Sequence, residues 1–263
     1  MNGLGRDERG SGEPLVLLHG VATSRLIWTR VIDALAQRRR VIAVDLPGFG
    51  ESAAAGPGFD LEQVADGLVA DLALERFDLV GHSLGGAVAV ATAARHPEAV
   101  RRLVLVSPAG LAPRAARLAG ALGVAAERAV HARRALGYRV AGRARGRRAM
   151  FGTTVADAAR LHPADARLLL DASGGARRVS SGVRRALEAD LRDDLAAAPM
   201  PVGLIWGDAD RVVPYSGLEA LLRLRPDARV ETLAATGHIP QIERPAAFAA
   251  ALERILDGLA TPR

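Results

Sequence analysis

Cysteine and lysine are both absent from this chain of 263 residues, and aromatic residues make up only 3% of it. The first absence excludes disulfides and thiolate metal sites and leaves the redox compartment undetermined. The second makes every one of the 35 basic residues an arginine. Few aromatics leave the core to alanine, valine and leucine. They also leave residues 111–198 with only Tyr138 and Phe151, too little for the stacking surfaces that nucleic-acid binding uses. No apolar run is long enough to cross a bilayer. Met1 to Glu13 is polar and glycine-rich, without the apolar stretch of a signal peptide. These absences predict a soluble, cytoplasmic protein with no nucleic-acid partner and no membrane insertion.

Charge is plentiful but unevenly placed. The net charge is +6, yet residues 111–198 hold 17 arginines against 8 acidic residues, whereas the remainder holds 18 against 21. The basicity therefore belongs to one middle segment, read here as a solvated arginine-rich helical surface. Attraction of anionic substrates or of an acidic membrane surface to that segment stays open.

Outside the segment, strand and helix signals alternate. Pro14 to Leu18, Val41 to Val44, Arg101 to Ser107 and Pro201 to Trp206 are short apolar runs of the kind buried in a parallel sheet, and Arg229 to Leu233 reads as a further strand. Helical spacing is found over Ser24 to Ala36, Leu61 to about Arg76, Leu84 to about Arg95, Tyr215 to Leu224 and Pro245 to Leu259. The pattern predicts an α/β fold, with a mostly parallel twisted sheet flanked by helices. It fails between Leu111 and Ala198, where Gly137, Gly142, Gly152, Pro163 and Ser173-Gly174-Gly175 interrupt helical stretches and no buried strand is evident. The expected organisation is a core from 1–110 and 199–263 with a helical subdomain inserted over 111–198.

The stretch Asp78-Leu79-Val80-Gly81-His82-Ser83-Leu84-Gly85-Gly86 carries the chemistry. It reads as a buried strand, one serine on a tight turn, and a helix that starts at once. The G-x-S-x-G spacing lets backbone approach closely and pushes the serine hydroxyl outward. The amide of Leu84 and the positive end of the helix dipole then point at any negative charge forming beside Ser83. The five-residue pattern is weak by itself, because glycine and serine are common. A serine nucleophile also needs a base and a group to orient that base. Of six histidines, His19 and His82 read as turn residues supporting the loop, and His96, His131 and His162 as helix-end or surface residues. His238 alone follows the last strand, at the carboxyl edge of the sheet where ligands bind. The loop after Trp206 offers two carboxylates, Asp208 and Asp210.

Together, His19-Gly20, Asp45-Leu46-Pro47-Gly48-Phe49-Gly50-Glu51-Ser52, Gly81 to Gly86, Trp206 to Pro214 and Gly237-His238-Ile239-Pro240 make the chain resemble the α/β-hydrolase fold family over almost all of its length except 111–198. The resemblance places the acid on Asp210, through the family's G-x-x-D-x-x-x-P pattern, and so implies a Ser83, Asp210, His238 triad. It implies an oxyanion hole from the backbone amides of Val21 and Leu84, and reads 111–198 as a cap over the site. No cofactor and no metal are implied. Ser83 argues against haloalkane dehalogenases and epoxide hydrolases, which place aspartate there. Ile239 and Val21-Ala22-Thr23 depart from carbon-carbon bond hydrolases of ring-cleavage pathways. What remains is hydrolysis of a carboxylic ester with a small or medium acyl group. A receptor of the same fold and a carbon-carbon bond hydrolase are the alternatives, and oligomeric state stays open.

Overall fold

Seven strands pair into one sheet in the order β1-β3-β2-β4-β5-β6-β7. They are β1 (Arg6–Arg9), β2 (Pro14–Leu18), β3 (Arg40–Val44), β4 (Phe77–His82), β5 (Val100–Val106), β6 (Val202–Gly207) and β7 (Arg229–Leu233). This computed structural model describes residues 3–54, 58–110, 134–175, 181, 182, 184 and 188–259. All neighbouring strands run parallel except β1, which pairs antiparallel with β3. That edge strand is an addition to the sequence reading. Its residues, Arg-Asp-Glu-Arg, are almost wholly solvent-facing and give no apolar signal.

Strand order decides where a site can form. From β2 the chain steps to β3 on one side and then crosses back to β4 on the other. Beside the carboxyl ends of β2 and β4, the connecting segments therefore diverge and leave a crevice. His19-Gly20-Val21 and Ser83 are the residues that follow those two strands.

The central strands alternate between two buried layers, as a sheet covered on both faces must. Val16 and Leu18 face the layer that holds α2 (Leu61–Leu72) and α3 (Leu84–Arg95), while Leu15 and Leu17 face the layer that holds α9 (Pro245–Gly258). Helix α2 starts where the Asp60 side chain accepts from the amides of Glu62 and Gln63, each at 3.0 Å. It stops at Leu72 instead of running to Arg76, because Ala73 turns into the left-handed region at φ 48°. Helix α3 is buried from Leu84 to Ala93, and its small residues allow it to lie close under the sheet.

The helix expected over Ser24 to Ala36 is broken in two. A 3-10 turn covers Arg25–Trp28 and a single α-turn, α1, covers Ile32–Leu35. The apolar spacing is satisfied, with Ile27, Trp28, Val31 and Leu35 all buried. Continuous helix fails because Thr29, Val31 and Ile32 are β-branched and because Asp45 ties down Arg25, accepting its amide at 2.7 Å and pairing with its guanidinium.

Between β5 and β6 the described residues form helices and no strand. They include residues 134–140, α4 (Ala144–Phe151), α5 (Pro163–Ala172), helical residues at 181, 182, 184 and 188, and α6 (Arg192–Ala197). Much of the expected insertion, including all of 111–133 with His131, lies outside the described residues. Helix α5 begins with Pro163 and is capped by His162, which accepts from the amide of Ala164 at 3.2 Å. It packs on the 3-10 turn, and Arg30 pairs with Asp165 at 2.6 Å. Gly137 does not interrupt its helix. A side chain there would meet Leu170 at 2.6 Å, so the glycine is what lets two helices touch. Helices α7 (Ser216–Leu224) and α8 (Pro240–Glu243) complete the later part of the chain.

Candidate active site

The turn after β4 explains its own sequence. Ser83 has φ 52° and ψ −116°, a conformation that costs a non-glycine residue about 1–3 kcal/mol and persists only where surroundings enforce it. Here they do so with hydrogen bonds. The Ser83 amide donates to the Val106 carbonyl at 3.0 Å, and the Ser83 carbonyl accepts from Gly86 at 2.9 Å and Ala109 at 3.0 Å. The flanking glycines have steric reasons. A Cβ on Gly81 would stand 2.3 Å from the Gly85 carbonyl oxygen, and one on Gly85 would stand 2.5 Å from the carbonyl oxygens of both Leu18 and His19.

His238 follows β7 by a short loop. Its Nδ1 lies 2.8 Å from Asp210 Oδ2. Because a carboxylate accepts, Nδ1 carries the proton and Nε2 keeps the lone pair, which is the tautomer a general base requires. The other oxygen of Asp210 accepts from the amides of Val212 at 2.8 Å and Val213 at 2.9 Å. Burial pushes the Asp210 carboxyl upward, but the His238 hydrogen bond and charge and the two amides outweigh it and hold the group below its usual range. Asp208 instead accepts from the amide of Thr236 at 3.4 Å, whereas the imidazole pairs with Asp210.

Ser83 and His238 open into one cavity of about 280 Å³, whose walls include Val21, Met150, Phe151 and Leu169. Among the described residues, no hydrogen bond closes between the Ser83 hydroxyl and His238. Such contacts are commonly long without substrate and shorten in the reacting complex. Val21, in the loop after β2, and Leu84, the first residue of α3, both approach Gly182 with their side chains. A Cβ on Gly182 would lie 3.4 Å from Val21 Cγ2 and 3.1 Å from Leu84 Cδ2.

The two other histidines at the crevice are structural supports. His19 Nε2 accepts from the Leu46 amide at 3.0 Å, so its Nδ1 is the protonated nitrogen and donates to the Gly20 carbonyl at 2.7 Å, fixing the loop that carries Val21. His82 donates from Nε2 to the carbonyl of His238 at 2.7 Å, and the two rings lie 4.8 Å apart. Burial lowers the pKa of His19 to about 4 and that of His82 to about 3, so both are neutral at pH 7.

One contributor was invisible in the sequence. Glu243 accepts from Ala156 at 2.8 Å and Gly237 at 2.9 Å through Oε2, and from Ile239 at 3.2 Å through Oε1. It thus grips the amides on both sides of His238 and one from the segment after α4. The His238 amide itself donates to the Thr154 carbonyl at 2.8 Å. The partners of Glu243 are backbone amides, which leave no residue pattern to read. Its position five residues beyond His238 was the only available signal. Among the described residues no cluster of three or more His, Asp or Glu side chains could hold a metal ion. No helix among them is long and apolar enough to cross a membrane.

Comparison with known proteins fits this geometry. A sequence model described as the alpha/beta hydrolase fold matches residues 13–245. The chain belongs to the alpha/beta hydrolase fold family. Within that family it is 32% identical, over 94% of its length and 96% of the relative's, to a pimeloyl-(acyl-carrier protein) methyl ester esterase of Aeromonas hydrophila. Its fold is similar to that of a thermophilic esterase from Thermogutta terrifontis, with a TM-score of 0.75 and 26% identity over 97% of this chain and 93% of the other. A meta-cleavage product hydrolase from Pseudomonas fluorescens superposes with a TM-score of 0.73 and 26% identity, over 97% and 94% of the two chains.

Proposed function

We propose that the protein hydrolyses carboxylic esters with a small or medium acyl group, using Ser83 as nucleophile, His238 as general base and Asp210 as the acid that orients it. The observation that carries this reading is one cavity shared by a serine on an enforced positive-φ turn and a histidine whose Nδ1 is bound to a buried carboxylate. In the first half-reaction His238 Nε2 takes the Ser83 proton as Oγ attacks the ester carbonyl. The amides of Val21 and Leu84 stabilise the resulting oxyanion, each worth roughly 3 kcal/mol in sites of this kind. Protonated His238 then returns the proton to the departing alcohol. Water repeats the sequence on the acyl-enzyme, releasing the acid and restoring Ser83. Residues 111–198 act in this reading as a cap that walls the substrate pocket. At about 280 Å³ the cavity lined by the described residues falls just below the usual range for small-molecule sites, about 300–1,000 Å³, which supports a short acyl group.

The esterase relatives support the ester bond as the target, and the likeness to a meta-cleavage product hydrolase keeps carbon–carbon cleavage as a second reading. Turnover of p-nitrophenyl acetate and butyrate, with phosphonate labelling of one serine, is the test. Ser83→Ala should abolish labelling and lower kcat by at least about 10⁴-fold. A wild-type protein inert to a broad ester panel and to phosphonates would overturn the ester reading. Cleavage of ring-fission products alone would favour the second, and labelling without turnover would favour a receptor of the same fold.

A further inference from the structure

The catalytic cavity holds one permanently charged side chain among its described lining residues, the guanidinium of Arg134. Most of the remaining wall is apolar, including Met150, Phe151, Leu169, Leu170 and Ile239. A cation placed there without purpose costs desolvation, so its environment matters. Arg134 is half-buried. Its Nε donates to the carbonyl of Leu170 at 3.1 Å, at the C-terminal end of α5, where the helix dipole favours a cation. Its Nη2 donates to the Tyr138 hydroxyl at 3.3 Å, and the guanidinium carbon lies 5.6 Å from the centre of the Tyr138 ring. Gly174 leaves space for it, since a Cβ there would come within 2.6 Å of Nη2. The group is therefore held in place from three sides.

Among the described residues no carboxylate forms an ion pair with it, and the acid in its neighbourhood, Asp171, is engaged instead by the Tyr138 hydroxyl. Of five guanidinium N–H donors, the described residues use two, and the other three are available to a ligand. Other described arginines of 134–198 find partners in the protein or face solvent. Arg147, for example, donates to the carbonyls of Ala141 and Ala159.

We infer that Arg134 reads an ionised carboxylate on the acyl part of the substrate, so that the preferred esters are monoesters of short dicarboxylic acids, the ester carbonyl at Ser83 and the free acid at the guanidinium. This rests on the hydrolase reading above and adds the substrate class. A planar guanidinium with free donors meets a carboxylate in a two-bond fork that no neutral group can match.

The test compares monomethyl glutarate with methyl 5-oxohexanoate, in which a neutral acetyl group replaces the carboxylate at nearly the same size. Wild type should favour the glutarate ester in kcat/KM by at least about tenfold. Arg134→Gln should reduce that preference 10- to 100-fold, chiefly through KM, consistent with loss of a charge-assisted hydrogen bond. Arg134→Lys should retain part of it, and Arg143→Gln, whose guanidinium lies on the exposed side of the cap, should leave the ratio as it is. Equal use of the two esters by wild type, or a preference that survives Arg134→Gln, overturns the inference while leaving ester hydrolysis intact. Should no ester be turned over at all, calorimetric binding of glutarate still decides. Binding that is lost in Arg134→Gln supports the carboxylate site, and absent or unchanged binding removes it.

Discussion

The two ends of β4 place buried charge in opposite ways. At the start of the strand Asp78, with no solvent exposure, is surrounded by arginines. It accepts from Arg101 at 2.8 and 2.9 Å and from Arg39 and Arg102 at 3.3 Å, and Glu13, Glu253 and Asp257 balance the surplus cations. Four donors converge on this one carboxylate, three of them on Oδ2, so the cluster ties strands and the final helix together as a fixed ionic knot. At the other end of the strand lie His82 and Ser83, next to an acid, Asp210, that faces one imidazole and two amides. Its partner is a group that can gain and lose a proton. Saturation gives a fixed scaffold, and a single exchangeable partner gives chemistry.

Substitutions should separate the two ends. Asp210→Asn keeps the packing but takes away the acceptor that sets the His238 tautomer. It should lower kcat by about 10³–10⁴-fold with little change in melting temperature, and near-normal turnover would remove Asp210 from the mechanism. Asp78→Asn should do the reverse. Uncompensated arginines at the strand start cost about 3–5 kcal/mol, a fall of roughly 10 °C in Tm for a chain of this size, while kcat of the folded fraction stays within about twofold. A large kcat loss at unchanged Tm would contradict the division.

Acid sharpens the comparison, because His19 and His82 are both buried neutral near the Ser83 end. With their folded-state pKa values lowered from 6.5 to about 4 and about 3, the unfolded chain takes up protons that the folded chain refuses. Stability should therefore decline as pH falls from about 6.5, level off for His19 near pH 4 and for His82 near pH 3, and be fully present above pH 7. Each contributes on the order of 3 kcal/mol. Thermal melts from pH 7 to pH 4 check this, and His82→Gln should flatten the slope. The smallest effect belongs to Glu243→Gln. The amide cannot accept all three backbone N–H bonds, so His238 should lose definition and kcat should fall about tenfold, with a modest loss of Tm. No change in kcat would show that the loop holds the histidine unaided.

What was legible in the sequence follows from where the information resides. Apolar runs such as Leu15 to Leu18 announce the buried strands, and Gly81, Ser83 and Gly85 announce the turn, because sterics demand those residue types at those positions. The edge strand Arg6–Arg9 did not announce itself, since an exposed strand needs no apolar pattern. The break between Trp28 and Ile32 was hidden because the apolar spacing survives it. Arg134 and Glu243 act through carbonyls, amides and the shape of a cavity, none of which is written in side-chain identity along the chain. Ser173-Gly174-Gly175 read as a helix stop. One of those glycines also makes room for a guanidinium.

The bonds from Thr154 to the His238 amide and from Ala156 to Glu243 have a consequence for how such a protein diversifies. In the proposed reaction the segment that walls the cavity is joined to the proton-transferring His238 by one direct hydrogen bond and to its support Glu243 by another, so reshaping residues 151–156 for a new acyl group would also retune turnover. On the proposed function, selectivity and speed in this molecule would be inherited together. Variants that alter one through that segment will carry a change in the other.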